Sequence, residues 1–419
     1  MTRQDTYTTN RCPNRSGMTG ARSGMTGAKS GMTAWFVLVV IAGLAGTLLA
    51  GCSKTAQPAA SKVPVASETP IVFSNPVPQT KGAPQLISLE RLAAQRFGVS
   101  AWYTPDNETF NASSQCYIFN HRFGTLSAGP DYSTAIWQGI TDTDDANPVY
   151  YPLDGTLSFF CYAPYRNDVS SASDIFIDYT PDEAVTSRLQ DYMTGSPLIC
   201  FTPKQMAASQ IDFMVSTPII DVDRNSGAIP LLFTEHLTTN MQFWAKYEGT
   251  LDTYESVIIS QIVIRNVIGS EYLYFTESGG VFGKHWCNTI SPVDGSSTMP
   301  LTSYTLSINT GELIESYTLD TSAYTFINES IRGSMYVLPQ VINSDTFMDI
   351  TYVVKSSGVA VDENTISLPL TGTADWPKGK TVRYYLTVKV ADRKNVDITV
   401  SIEDWLSAGN PHSDEEIMY

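Results

Sequence analysis

The chain has 419 residues, with 26 Lys and Arg against 42 Asp and Glu, a formal net charge of −16. Charged residues make up 16%, against roughly 25% in an average soluble protein, so the polarity comes from Ser, Thr, Asn and Gln, which suit the exposed faces of strands. This balance excludes a nucleic-acid binder, which needs clustered Lys and Arg; 42% apolar residues exclude a disordered chain, and helical bundles are excluded with them.

Charge is unevenly spread. Residues 1–51 hold Arg3, Arg11, Arg15, Arg22 and Lys29 against Asp5 alone, a net of +4, which leaves −20 on the 368 residues that follow. A short repeat (SGMTGAR at 16–22, SGMTGAK at 23–29, SGMT at 30–33) reads as an over-long basic region, with Met18 and Met25 as alternative starts. An apolar run of 17 residues, Ala34 to Ala50, follows. It is short for a spanning helix and close to a secretory signal core. The run ends in Leu49-Ala50-Gly51-Cys52, which resembles the bacterial lipoprotein cleavage box. Small residues precede the cut, and the Cys52 thiol is the atom that receives the diacylglycerol and its acyl chains. Residues 1–51 therefore read as a lipoprotein signal peptide. Residues 52–69, rich in Ala, Ser, Pro and Thr, read as a flexible tether.

Beyond the tether, apolar residues alternate at period two over Phe97–Tyr103, Cys116–Phe119, Leu157–Tyr162 and Ile175–Tyr179. The pattern returns at Met241–Trp244, Val257–Ile264, Met348–Val354, Thr381–Val390 and Val396–Ile402. Turn residues separate these runs: Asp154-Gly155, Asn225-Ser-Gly227, Ser278-Gly-Gly280 and Pro377-Lys-Gly379. Two helices are predicted, over Ser88–Gln95 and over Asp182–Met193, the second capped by Asp182 after Pro181. Many short strands at this spacing predict an all-β chain of two tandem β-sandwich domains. A break near Tyr247–Tyr254 divides it into 70–250 and 251–419.

Residues that could carry chemistry are few. Cys116, Cys161, Cys200 and Cys287 allow two disulfides in an exported protein, yet the first three sit in apolar strand runs, which favours buried free thiols. No Cys/His spacing fits a metal, and no cofactor is expected. The four histidines are His121, His236, His285 and His412, and no G-x-S-x-G elbow accompanies them. His236 falls with the inward residues of Pro230–Leu237 and reads as a core histidine; His285 reads as a loop residue. The loop Thr141–Asn147 holds three carboxylates, but counting a calcium loop from Asp142 puts Ala146 and Asn147 at the fifth and sixth positions, where an oxygen ligand and a Gly are needed. It reads as a solvated turn. Asp221 and Asp223 read as turn residues, and nothing demands an enzyme.

Several local patterns in order carry a resemblance. They are Pro70-Ile-Val-Phe-Ser74, Phe97–Trp102, Tyr150–Pro164, Pro230–His236, Tyr336–Gln340, Trp376–Lys380 with Tyr384–Val388, and Ile402-Glu-Asp-Trp405. In this order behind a lipoprotein signal, the chain resembles the fimbrillin-like family of Bacteroidales, the type V pilins and their relatives. That resemblance implies two transthyretin-like or Ig-like sandwiches, anchoring of Cys52 in outer-membrane lipid at the cell surface, and polymerisation with other fimbrial subunits. It further implies proteolytic removal of the first strand, whose groove a strand of the next subunit then fills. Carried onto this sequence, the displaced strand is Ile71, Val72 and Phe73 through Val77, within a removable segment of about 70–81. Trypsin-like cleavage would fall at Lys81, with Arg91 and Arg96 as alternatives. An ordinary first strand that stays in place is the other reading of the same residues.

The end of the sequence departs from a polymerising subunit. After Trp405, Gly409, Asn410 and Pro411 break any strand, and Asp414–Glu416 are poor groove fillers. Stalk, tip, anchor and non-polymerising relatives therefore stay open, with a host glycan or protein receptor as partner. A rival of another class is a surface glycan-binding lipoprotein, stacking sugar rings on Trp102, Trp137, Trp244 or Trp286.

Overall fold

The computed structural model describes residues 64–75, 89–126, 132, 135–231, 233, 235–292, 297–307, 319–330, 335–370, 375–389 and 395–404. Residues 1–63 with Cys52, and likewise Val77, Lys81 and the residues beyond Asp404, lie outside the described residues. In chain order the strands begin with β1 (Ala66–Pro70), β2 (Val72–Ser74), β3 (Phe97–Thr104), β4 (Gln115–Gly124), β5 (Ile136–Gly139) and β6 (Tyr150–Pro152). There follow β7 (Thr156–Ala163), β8 (Ile175–Asp178), β9 (Leu198–Phe201), β10 (Met214–Val215), β11 (Ile219–Val222) and β12 (Ile229–Pro230). The third group is β13 (Thr239–Glu248), β14 (Glu255–Ile268), β15 (Glu271–Ser278), β16 (Val281–Cys287), β17 (Leu301–Ser307) and β18 (Thr325–Phe326). Last come β19 (Met335–Val337), β20 (Phe347–Ser356), β21 (Val359–Pro369), β22 (Lys380–Lys389) and β23 (Asn395–Asp404). Helices are short: α1 (Leu89–Gln95), α2 (Glu183–Thr186) and α3 (Ile327–Ser330).

The first lobe is built on one large sheet in the order β10-β7-β3-β4-β5-β2-β12, with β11 also on β7. One of its faces packs against α1 and the β1–β6 ribbon, closing a core that includes Phe73, Phe97, Phe123, Trp137, Tyr151 and Phe159. The other face meets the sheet β8-β9-β15-β16 across a second core of Trp102, Phe160, Tyr162, Phe201, Phe213 and Phe275. Consequently β3 is buried at all eight positions. Its odd-numbered residues enter one core and Trp102 the other. Gly98 sits in β3 because the Tyr162 ring lies where a side chain would be: an added Cβ would stand 2.2 Å from it.

The second lobe is a two-layer sandwich. One sheet runs β18-β13-β22-β23, with β19 also on β13, and the other runs β17-β14-β20-β21. A single core fills the space between, from Met241, Phe243 and Ala245 on one side to Ile259, Ile262 and Tyr352 on the other. Here burial alternates as the period-two pattern requires, most plainly in β13. The fold is thus all-β, as expected. The chain passes between the lobes after β12, after β14 and again after β16. The expected break near 250 falls between β13 and β14, while strand pairing groups β13 with the sheets that follow and draws β15 and β16 back beside β9.

Three local expectations change. Part of the tether is a strand: Ala66–Pro70 pairs antiparallel with β6, because extended Ser/Thr/Pro-rich backbone can join a ladder without an apolar pattern. The helix expected over Asp182–Met193 is a single turn. Asp182 does cap it, accepting from Ala184 N–H at 2.9 Å, but the chain then leaves to extend β15, with Met193 N–H donating to Phe275 O at 2.8 Å. His285 lies on strand β16 and not in a loop, paired across from Tyr274.

Candidate functional site: the seat of the first strand

Ile71 and Phe73 are completely buried and Val72 half-buried, the alternation of a strand with one face in a core. On one flank β2 pairs antiparallel with β5, Phe73 opposite Trp137, and on the other it pairs parallel with β12, Phe73 opposite Ile229. It is therefore an internal strand of the large sheet, although only three residues long. The Ile71 N–H donates to Val149 O at 2.8 Å, and Leu153 N–H donates to Val65 O at 2.9 Å, so the ladder continues through β1.

The floor of this seat is aromatic. The Phe73 ring stands edge-on to Phe97, Phe123 and Phe159, with centroids 5.8, 5.3 and 5.5 Å away. Trp137 and Phe233 close the ring around Phe97 at 5.9 and 6.2 Å. Burial of Phe73 contributes about 2–3 kcal/mol, and each edge-to-face pair adds about 0.5–1.5 kcal/mol. Asn75 ends the strand: its Oδ1 accepts from Trp137 Nε1 at 2.8 Å and its Nδ2 donates to Tyr132 O at 2.6 Å. If 65–75 were withdrawn, the seat would offer two unpaired backbone edges and an apolar slot that accepts any strand with alternating apolar side chains.

The candidate cleavage residues are differently placed. Arg91 is half-exposed on α1, 3.6 Å from Asp212. Arg96 follows α1 in the left-handed region, φ 59°, its N–H held by Leu92 O at 2.8 Å and its guanidinium by Asp144 at 2.8 Å. The acidic loop is accordingly no free cluster: Arg96 and Arg122 bind Asp144, and Arg122 also binds Asp142 at 3.3 Å. The Arg96 hydrogen bond holds the Asp144 carboxyl below its ordinary value. Asp221, expected in a turn, sits instead in β11 at φ 53°, accepting from Phe110 N–H at 3.0 Å. It pins a loop to the sheet edge.

His236 is buried as expected, its Nδ1 3.0 Å from Asp212. Cys161, Cys200 and Cys287 are free and buried, and burial pushes the Cys161 thiol up to about 12 and the Cys200 thiol to about 11. Cys116, near the start of β4, is only half-buried. Of the four tryptophans considered for sugar stacking, Trp102 and Trp137 lie in two different cores, and Trp286 is half-buried with its Nε1 donating to Leu237 O at 2.6 Å. Trp244 stacks on Phe326 at 4.8 Å on the second lobe. They make no common platform for sugars. One group that sequence reasoning passed over is Glu271, fully buried at the start of β15. Its place in a strand opening looked ordinary, and only its surroundings distinguish it.

Fold and seat define a protein of sheets and strand contacts, with a short internal strand seated between β5 and β12. The family model described as fimbrillin-like matches residues 92–405, and the chain belongs to that family. Among solved structures it is similar to a fimbrial protein from Bacteroides vulgatus, 18% identical, with a TM-score of 0.51 over 80% of this chain and 99% of the other. A structure from Bacteroides uniformis assigned to cell adhesion is 12% identical, with a TM-score of 0.43 over 80% and 98% of the two chains. Comparison with curated protein sequences gave no match.

Proposed function

We propose that this chain is a structural or adhesive subunit of a cell-surface fimbria, exported as a lipoprotein acylated at Cys52 and held in the outer membrane until its first strand is released. The observation that carries this reading is the seat of β2. A three-residue strand fills the gap between β5 and β12, with Phe73 as its one aromatic anchor. Release would leave both flanking edges and the aromatic floor in place for a strand of another subunit. Family membership and the fimbrial fold neighbour support the same reading.

Lys81 is the proposed cleavage residue. Arg91 is engaged in helix α1 and Arg96 is locked by backbone and ion pair, so cutting at either requires α1 to open first. The tail beyond Trp405 is a poor donor by composition, which favours a subunit that receives a strand over one that gives it. The glycan-binding alternative has less support, because two of its four tryptophans are buried in separate cores.

Limited trypsin digestion of the lipid-free protein, followed by N-terminal sequencing and sizing, tests the reading. Cleavage after Lys81 with loss of residues through Val77 and growth of oligomers is expected. A protein that keeps its first strand under trypsin, or that loses it and stays monomeric without capturing an added apolar strand peptide, sinks the strand-replacement mechanism.

A further inference from the structure

The passage from the second lobe back to the first runs through Gly269 and Ser270, and it has no slack. Gly269 N–H donates to Pro300 O at 2.8 Å, and a Cβ on Gly269 would stand 2.8 Å from the Thr302 side chain. Ile268 is held at both ends of its peptide: its N–H donates to Gln340 Oε1 at 2.8 Å, and Tyr304 Oη donates to its carbonyl at 3.2 Å. Ser270 Oγ lies 3.2 Å from Cys200 Sγ and 2.8 Å from Thr202 Oγ1.

The next residue, Glu271, is entirely buried across from Phe201 of β9, and neither carboxyl oxygen has a hydrogen-bond partner among the described residues. The titratable groups that face it are the Cys200 thiol on β9 in the first lobe and the Tyr304 hydroxyl on β17 in the second. Burial pushes both of these up as well, so neither supplies a counter-charge. A buried carboxylate with no donor and no partner is strongly disfavoured, whereas a neutral acid is tolerated. We propose that Glu271 is a proton-controlled lock between the lobes: as a neutral acid it stays seated in the junction, and its ionisation draws water in and loosens the passage at 268–271.

Burial alone raises the Glu271 carboxyl to about 8, so the lock holds at neutral pH and opens in mild alkali. Hydrogen–deuterium exchange on the full chain, corrected for intrinsic rates, provides the test. Between about pH 6.5 and 9.5, protection of 268–273 and 300–306 should fall at least about tenfold more than that of β20 and β22 in the wild type. In Glu271→Gln, which has nearly the same shape but no proton to lose, that selective fall should vanish. Equal falls in both proteins, or none in the wild type, overturn the proposal. Infrared spectroscopy of the wild type keeps the question decidable if the variant fails to fold. A protonated carboxyl stretch present at neutral pH and lost in alkali, in step with the exchange, supports the lock. Absence of that band at neutral pH overturns it.

Discussion

The two lobes use similar strands in different ways. In the second, two sheets enclose one core, and each strand has an inner and an outer face. In the first, the large sheet is covered on both sides, so that Phe159 and Phe160, neighbours on β7, enter different cores. In β13 the neighbours Gln242 and Phe243 divide between surface and core. The difference teaches that strand parity encodes solvent only where a sheet has a wet face.

Substitution by parity is the strongest way to break this contrast. Phe159→Ala and Phe160→Ala should each destabilise the protein by about 3–5 kcal/mol, and Phe243→Ala by a similar amount, while Gln242→Ala should cost less than about 1 kcal/mol. Urea unfolding curves supply the numbers. A Phe160→Ala as mild as Gln242→Ala would mean that the sheet β8-β9-β15-β16 does not cover the large sheet.

Next in size is a pH effect at the joint of the lobes. The folded Glu271 carboxyl, near 8, lies above its ordinary value of 4.5, so over that window the folded state holds a proton that the unfolded chain has lost. Stability at this group therefore falls as pH rises from about 5 to 8, by roughly 3–4 kcal/mol at most, and levels off above. Thermal melting of the wild type against Glu271→Gln should show the slope in the former and not in the latter. A smaller effect is expected from Gly98→Ala, about 1–3 kcal/mol, because the new Cβ must push the Tyr162 ring out of a core buried on both sides. If Gly98→Ala melts like the wild type, the interleaving of the two sheets is looser than described.

This contrast also explains what the sequence made legible. All nine alternating runs, from Phe97–Tyr103 to Val396–Ile402, coincide with strands, except that Tyr179 falls one residue past β8 and Val390 lies outside the described residues, and the turns at Gly155, Gly227 and Gly379 adopt the positive φ that Gly accommodates. The strand β1 was hidden because ladder hydrogen bonds leave no apolar signature in ASETP. The helix over Asp182–Met193 was overestimated because Tyr192 and Met193 are apolar for a strand neighbour, not for a helix face. The seat of Phe73 was half legible: the apolar strand could be read, but its ring of Phe97, Phe123 and Phe159 is gathered from β3, β4 and β7. Glu271 had no signal at all, since a buried acid is defined by neighbours from Cys200 to Tyr304.

The parallel pairing of β13 with β22 joins Asn240 to Thr381 and runs unbroken to Glu248 and Lys389. Every rung of that ladder spans about a third of the chain. The second lobe therefore cannot close until nearly all of the chain is present, whereas the hairpin of β3 and β4 forms from residues close in sequence. Long loop closures of this kind slow folding. A chain synthesised from its N-terminal end would thus have the first-strand seat assembling early and the second lobe open until β22 arrives.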